Sequence, residues 1–176
     1  EKARALSNEV KHVYRQLTDL RDDANRQVAD RVNHINMYAK DIRDLNERIL
    51  KSEALGDNPN DLKDKRDALI EKLSSLANIS VGRSDQDELI VYIGSENLVQ
   101  GEVFQPLEAV MDPQNNGYYS VQWKKTGEDV PIKSGELGGL LEIRDQVLRE
   151  NINDLNAFAI NRSEEHTSEL QSLLII

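Results

Sequence analysis

Between Ala3 and about Leu55 the chain holds neither proline nor glycine, and apolar residues recur at Leu6, Val10, Val13, Leu17, Leu20 and Ala24, alternately four and three apart. That spacing is a heptad seam, and the unbroken run predicts a single helix. Two steps of four, through Val28 to Val32, interrupt the pattern before Ile35, Ala39, Ile42, Leu45 and Ile49 resume it. Consecutive fours are a stutter, which locally relaxes left-handed supercoiling. A helix of about 50 residues extends about 75 Å at 1.5 Å per residue, too far for the interior of a compact domain. The expectation is a rod.

Gly56-Asp57-Asn58-Pro59-Asn60-Asp61 closes this helix: glycine suits the C-terminus, proline bars continuation, and Asn60 or Asp61 is placed to cap the next helix. That second helix, Asp61 to about Ala77, sets Leu62, Leu69, Leu73 and Leu76 on one stripe. The short connection makes it an antiparallel neighbour of the first. Beyond Ile79 the period becomes extended. Ile79-Ser80-Val81 and Leu89–Ile93 read as strands around a polar turn at Arg83–Glu88, and Gly94–Asn97 turns into Leu98-Val99, which Gly101 stops. Further strands are expected at Val103–Met111, an edge because of Pro106, and at Tyr118–Lys124. The Asn116-Gly117 pair turns the chain between them. From Ser134, a fair N-cap with Glu136 in the first turn, helical period returns through Leu137, Leu140, Leu141, Val147, Leu148, Ile152, Leu155 and Phe158 or Ala159. Gly138-Gly139 weakens that turn intrinsically and points to a close backbone approach or a bend. The whole is an α+β chain: a helical rod or bundle carrying a small antiparallel β insert, with the last helix returning alongside the first.

Composition narrows function. Twenty-two Lys and Arg against 32 Asp and Glu leave a net charge of −10, which argues against nucleic acid, since phosphate backbones demand a surplus of cations. No apolar run approaches the ~18 residues of a membrane span, and no apolar core of a signal peptide comes after Glu1-Lys2-Ala3-Arg4. The lack of Cys removes disulfides, thiolate zinc sites and thiol catalysis while leaving the compartment open.

Candidate chemistry is sparse. Asp19, Asp22 and Asp23 share a helix face interleaved with bases, the pattern of a solvated surface. Asp57–Asp61 superficially matches a calcium loop but has Leu62 where that loop needs glycine at its sixth position. His12 and His34 are turns apart, with no third ligand at metal spacing. Ser134–Gly139 is glycine-rich before a helix, yet lacks the Lys-Ser/Thr ending and β-α-β setting of a phosphate loop. Tyr118, Tyr119 and Trp123 could face a carbohydrate or peptide, although alternating strand aromatics more often pack on a small core. No catalytic, cofactor-binding or metal-binding residue is assigned.

Five segments, ALSNEVKHVYRQLTDLRDDANRQV, INMYAKDIRDLNERI, NPNDLKDKRDALIEKLSSL, ELIVYIGSENLVQG and IKSGELGGLLEIRDQVL, together resemble the flagellar hook-associated protein 1 family of bacteria, the hook–filament junction proteins. The most telling ordered set is an Asn-Asp-Leu-x-Asp-x-Arg-Asp helix, a hairpin, and then Ser-Gly-x-Leu-Gly-Gly-Leu-Leu-x-x-Arg-Asp, within a match from about Ala5 to Ile160. The resemblance implies a flagellin-like inner rod domain and a structural, non-enzymatic role in a ring of subunits between hook and filament. It implies as partners further copies of the chain, the hook protein, neighbouring junction proteins and a flagellar export chaperone, with no nucleic acid and no membrane insertion. It implies export through the flagellar apparatus to the flagellum, extracellular or periplasmic where flagella are internal.

The expected organisation is a helix pair over 1–78, a β-rich insert over 79–133, a returning helix over 134–161, and a tail over 162–176. Against the family pattern, an N-terminal segment, an outer domain and a C-terminal arm are wanting, so the chain reads as a fragment. Arg162–Ser172 reads as an in-frame translation of a sequencing adapter, so Arg162–Ile176 is expected to be foreign to the natural protein. The competing reading is a secreted coiled-coil adhesin or partner-binding module with a ligand on Tyr119 and Trp123.

Overall fold

A computed structural model describes the backbone of residues 2–84 and 88–173 and the side chains within 4–84 and 88–162. The fold is α+β. Helix α1 runs Lys2–Ala54 without a break, and α2 covers Asn60–Leu76. Six strands come next, β1 Ile79–Arg83, β2 Leu89–Ile93, β3 Glu96–Gln100, β4 Val103–Phe104, β5 Leu107–Met111 and β6 Tyr119–Trp123. Helix α3, Gly135–Glu142, passes through a π turn at Ile143–Val147 into α4, Leu148–Leu173. Side chains beyond Arg162, His166 among them, and residues 174–176 lie outside the described residues; the α4 backbone runs through the expected foreign tail as far as Leu173.

Two compact units form, one from Asn25–Leu140, the other from Glu1–Ala24 with Leu141–Ile176. In the first, the α1 seam from Val28 to Ile49 is buried throughout, with Val28, Ile35, Ala39 and Ile42 wholly enclosed. Burial of each valine or isoleucine side chain among these favours folding by about 1.5–3 kcal/mol. Leu73 and Leu76 of α2, Leu137 of α3 and the apolar side chains of β2 and β3 complete this core. Lys63 pairs with Glu53 at 2.7 Å and Arg66 with Asn46 at 3.1 Å, so residues descending α1 meet residues ascending α2. The helices are antiparallel.

The connection differs from expectation in one respect. The position before α2 is Pro59, and neither Asn60 nor Asp61 caps the helix through its side chain. The Pro59 carbonyl instead accepts the N–H groups of Leu62 and Lys63, both at 3.1 Å, and the rigid proline φ does the pre-organising.

Strands β1 to β4 form an antiparallel meander in sequential order, and β5 and β6 form a separate ribbon. The single strand expected over Val103–Met111 is thus two, because Pro106 supplies no N–H and the chain changes sheet there. The turn at Arg83–Glu88 has its tip, 85–87, outside the described residues; its flanks close by Ser84 N–H to Glu88 O at 2.9 Å and Glu88 N–H to Ser84 Oγ at 3.1 Å. Between β5 and β6, Asp112 Oδ1 accepts the Gln114 N–H at 2.8 Å, and Asn116 and Gly117 take left-handed φ of 54° and 78°. This is the conformation for which an Asn-Gly pair is suited.

Helix side-chain amides join the ribbon to α1. Asn36 Nδ2–H donates to Leu107 O and Asn36 Oδ1 accepts the Leu107 N–H, both at 2.8 Å. Asn25 Oδ1 accepts the Tyr119 N–H at 2.8 Å. In the link between α2 and β1, Asn78 takes the Lys133 N–H at 2.7 Å and donates to Pro131 O at 3.0 Å, holding the segment that leads into α3. Gly135, at φ +78°, enters α3 where a Cβ would lie 2.6 Å from the Leu76 carbonyl carbon, a closer approach than either glycine of the Gly138-Gly139 pair for which one was expected. Gly138 is tight against Lys133, at 3.1 Å, whereas Gly139 faces open space. The helix is distorted one turn later, at the π segment.

Candidate assembly surface

The apolar seam of α1 changes character at Ala24. On its C-terminal side the stripe is buried, and on its N-terminal side, within the smaller unit, Leu6, Tyr14 and Leu20 are 40%, 41% and 54% exposed. Val10, Val13 and Leu17 are only half-buried. The returning helix adds Ile152 and Leu155, half-buried, and Phe158 and Ile160, exposed. A groove of about 450 Å³ runs between Val10, Tyr14, Asn156 and Ala159, with Lys11 and Arg15 beside it. A two-helix unit with this much half-covered aliphatic and aromatic surface is suited to packing against further helices.

The smaller unit is held at one end by polar contacts. In the π turn the Leu148 N–H reaches Ile143 O, five residues back. Arg144 O accepts Arg21 Nε–H at 2.9 Å. Arg144 itself is buried, and its guanidinium meets Asp145 through Nε at 2.8 Å and Nη2 at 2.6 Å. Arg21 Nη2 lies 3.9 Å from the same carboxylate. Asp145 therefore offsets two buried cations. The π turn also leaves Ile143 and Val147 about half exposed.

The residues weighed for chemistry are dispersed. His12 and His34 are both exposed, and the His34 ring stacks on Tyr38 with centroids 6.4 Å apart. Among the described residues no group of three His, Asp or Glu side chains is placed to hold a metal. Asp19 and Asp23 are exposed and Asp22 is half-buried. Glu136, in the first turn of α3, is paired to Arg31 at 2.7 Å. Trp123 is 3% exposed and belongs to the core, so it offers no open platform, while Tyr118 and Tyr119 are half-buried. No helix among the described residues is long and apolar enough to cross a membrane.

Sequence reasoning missed the joining amides at Asn25, Asn36, Asn46 and Asn78, and the buried role of Arg21, Arg66 and Arg144. For Asn25, Asn36 and Asn46 the available signal was asparagine inside a helix, a residue that otherwise competes with helical backbone.

The family model for the flagellar hook-associated protein FlgK helical domain matches residues 1–167. Flagellar hook-associated protein 1 of Salmonella typhimurium is 32% identical over 94% of this chain, and that of Escherichia coli 30% identical over 96%. The chain spans about a third, 32%, of the length of either relative. The flagellar hook junction protein FlgK from Burkholderia pseudomallei superposes with a TM-score of 0.75 at 31% identity, over 83% of this chain and 28% of that one.

Proposed function

This chain belongs to the flagellar hook-associated protein FlgK family, and on that premise we propose that it is part of a structural, non-enzymatic subunit joining hook to filament in the bacterial flagellum. The observation that carries the reading is the N-terminal part of α1, where Leu6, Tyr14 and Leu20 stay 40%, 41% and 54% exposed and Tyr14, with Val10, lines a groove bounded by α4. Assembly proceeds by burying this seam against helices of neighbouring subunits, because the same stripe, where the chain covers it, forms a closed core. The partners under this reading are copies of the protein, the hook protein, adjoining junction proteins and an export chaperone, and the subunit leaves the cell through the flagellar export apparatus.

The test is a chimera in which this chain replaces the matching third of the Escherichia coli relative, in a strain lacking that relative. Restored filament growth is the expected result. Bare hooks, with the chimera exported and stable, would overturn the reading. The adhesin alternative, which needs an accessible Trp123, gains no support from a side chain enclosed in the core.

A further inference from the structure

The turn of the β5–β6 ribbon carries the one place in the chain where asparagine precedes glycine, Asn116-Gly117. Both residues are exposed, so water and base reach them. The Cγ carbon of an asparagine side-chain amide lies within five-membered-ring reach of the next residue's backbone nitrogen. A following glycine opposes that ring closure least, because it has no Cβ and its backbone is the most permissive. Asn25, Asn36, Asn46 and Asn78, by contrast, each precede a residue with a side chain and have their own amides engaged in hydrogen bonds.

The folded turn holds the two reacting atoms apart. Ring closure needs Cβ and the Gly117 nitrogen on the same side of the Asn116 Cα–C bond, and the left-handed conformation of Asn116, φ 54° and ψ 25°, sets them on opposite sides. The Gly117 N–H also donates to Asp112 O at 2.9 Å, which keeps the proton on the nitrogen that must lose it. Rotating ψ into the reactive range breaks this bond and its neighbour from the Tyr118 N–H to Asn115 O, also 2.9 Å. Asp112 is the post to which the turn is tied. Its N–H donates to Tyr118 O at 3.0 Å, and its carboxylate accepts the Gln114 N–H at 2.8 Å.

We propose that Asn116 is a site of spontaneous deamidation which the folded ribbon turn holds shut, so that the reaction proceeds only while residues 112–118 are open. In the open chain, solvent base takes the Gly117 amide proton and the nitrogen forms a bond to Asn116 Cγ. The Cγ–Nδ2 bond breaks, and Nδ2 gains a proton and leaves as ammonia. Water then opens the cyclic imide at Cγ, giving aspartate, or at the backbone carbonyl, giving isoaspartate. Either way the Gly117 nitrogen regains a proton, and the net change is one water consumed and one ammonia released. Isoaspartate routes the main chain through Cγ, and the extra backbone atom disturbs the register that pairs Met111 with Tyr119. The modification thus records time spent with the ribbon open.

The experiment holds the full chain at mildly alkaline pH, folded in buffer or unfolded in guanidinium chloride, and follows each asparagine by peptide mass spectrometry with fragmentation that separates aspartate from isoaspartate. In the unfolded chain Asn116 is expected to react before every other asparagine, with isoaspartate in excess, the mark of the imide route. In the folded chain its rate falls by at least about tenfold, because only the locally opened population reacts. Asp112→Ala, checked for an intact fold by amide exchange in β2, raises the folded rate by roughly fivefold, the scale of one lost side-chain cap bond, and leaves the unfolded rate unchanged. Asp112→Asn, which retains an acceptor for the Gln114 N–H, keeps the folded rate close to the parent's. Another asparagine reacting first, or aspartate as the sole product, would remove Asn116 as the imide-forming site. Equal folded and unfolded rates, or a folded rate indifferent to Asp112→Ala, would show that the turn is not what holds it shut.

Discussion

Arg21 and Arg144, 123 positions apart, are joined by a 2.9 Å hydrogen bond from the Nε–H of one to the backbone carbonyl of the other. A π turn displaces carbonyls from their ordinary helical donors, and a side chain from the facing helix takes up one of them. Arg21→Met removes this charged donor from the buried contact and is expected to cost about 1–3 kcal/mol. Urea unfolding measures the loss, and amide hydrogen exchange across residues 144–149 should accelerate more than exchange in β2. Unchanged exchange there would remove Arg21 from this role.

Asn36 binds both backbone groups of Leu107. Asn36→Leu, similar in volume, breaks both bonds and is expected to destabilise the larger unit by about 1–3 kcal/mol, with faster exchange at the Leu107 amide. Asn36→Ala should add a packing loss to the same effect.

The two glycine substitutions in α3 should have opposite signs. Gly135→Ala meets a left-handed φ of +78° and the Leu76 backbone at 2.6 Å, so it cannot be relieved by a side-chain rotation. The conformational penalty alone is about 1–2 kcal/mol. Gly139→Ala faces nothing within 4 Å and lies inside a helix. It is expected to stabilise by about 0.5–1 kcal/mol. Thermal melting of both variants decides the matter.

Glu47 and Lys51, four residues apart on α1, form a short charge-assisted hydrogen bond. That bond holds the Glu47 carboxyl below its usual range and raises the Lys51 ammonium above its own. The Glu47 contribution is complete above the ordinary carboxylate pKa and is lost as pH falls through the lowered one. The Lys51 contribution is complete below its ordinary pKa and is lost as pH rises through the raised one. Between those limits the pair is indifferent to pH. Carbon-13 titration of the Glu47 carboxyl should give a depressed midpoint that Lys51→Met returns to normal.

Leu20→Glu and Phe158→Glu alter side chains about half exposed in the chain itself, at 54% and 45%. Their melting temperatures should stay close to the parent's, because charges on such positions lose little packing. In the chimera they should block filament growth. A variant that melts normally and assembles normally would exclude its position from the assembly surface.

Residues alone disclosed the features that depend on near neighbours in sequence. The Pro- and Gly-free seam located α1, its Gly56–Pro59 stop and the stripe of α2, and the stutter begins at Ala24, where the smaller unit's share of α1 ends. Asn116-Gly117 marked the ribbon turn. The arginine pair and the Asn36 bridge were hidden because each depends on residues 123 or 71 positions apart meeting in three dimensions, and periodicity carries no such information. Exposure was hidden for another reason. A stripe such as Leu6–Leu20 is written identically whether its cover lies within the chain or on a neighbour.

The Asn36 bridge reaches beyond stability. A side-chain amide presents one donor and one acceptor, as a peptide group does, so Asn36 is to β5 what a single residue of another strand would be. Asn25 does half as much for the opposite margin of the ribbon, at Tyr119. Further along β6 that margin is met by the chain that follows it, where Val121 O accepts the Val130 N–H and the Trp123 N–H donates to Glu128 O, both at 2.9 Å, so neither margin of the two-stranded sheet is left wholly open as a template for strand addition. A strand from outside would have to displace bonds already made within the chain before it could add to this ribbon.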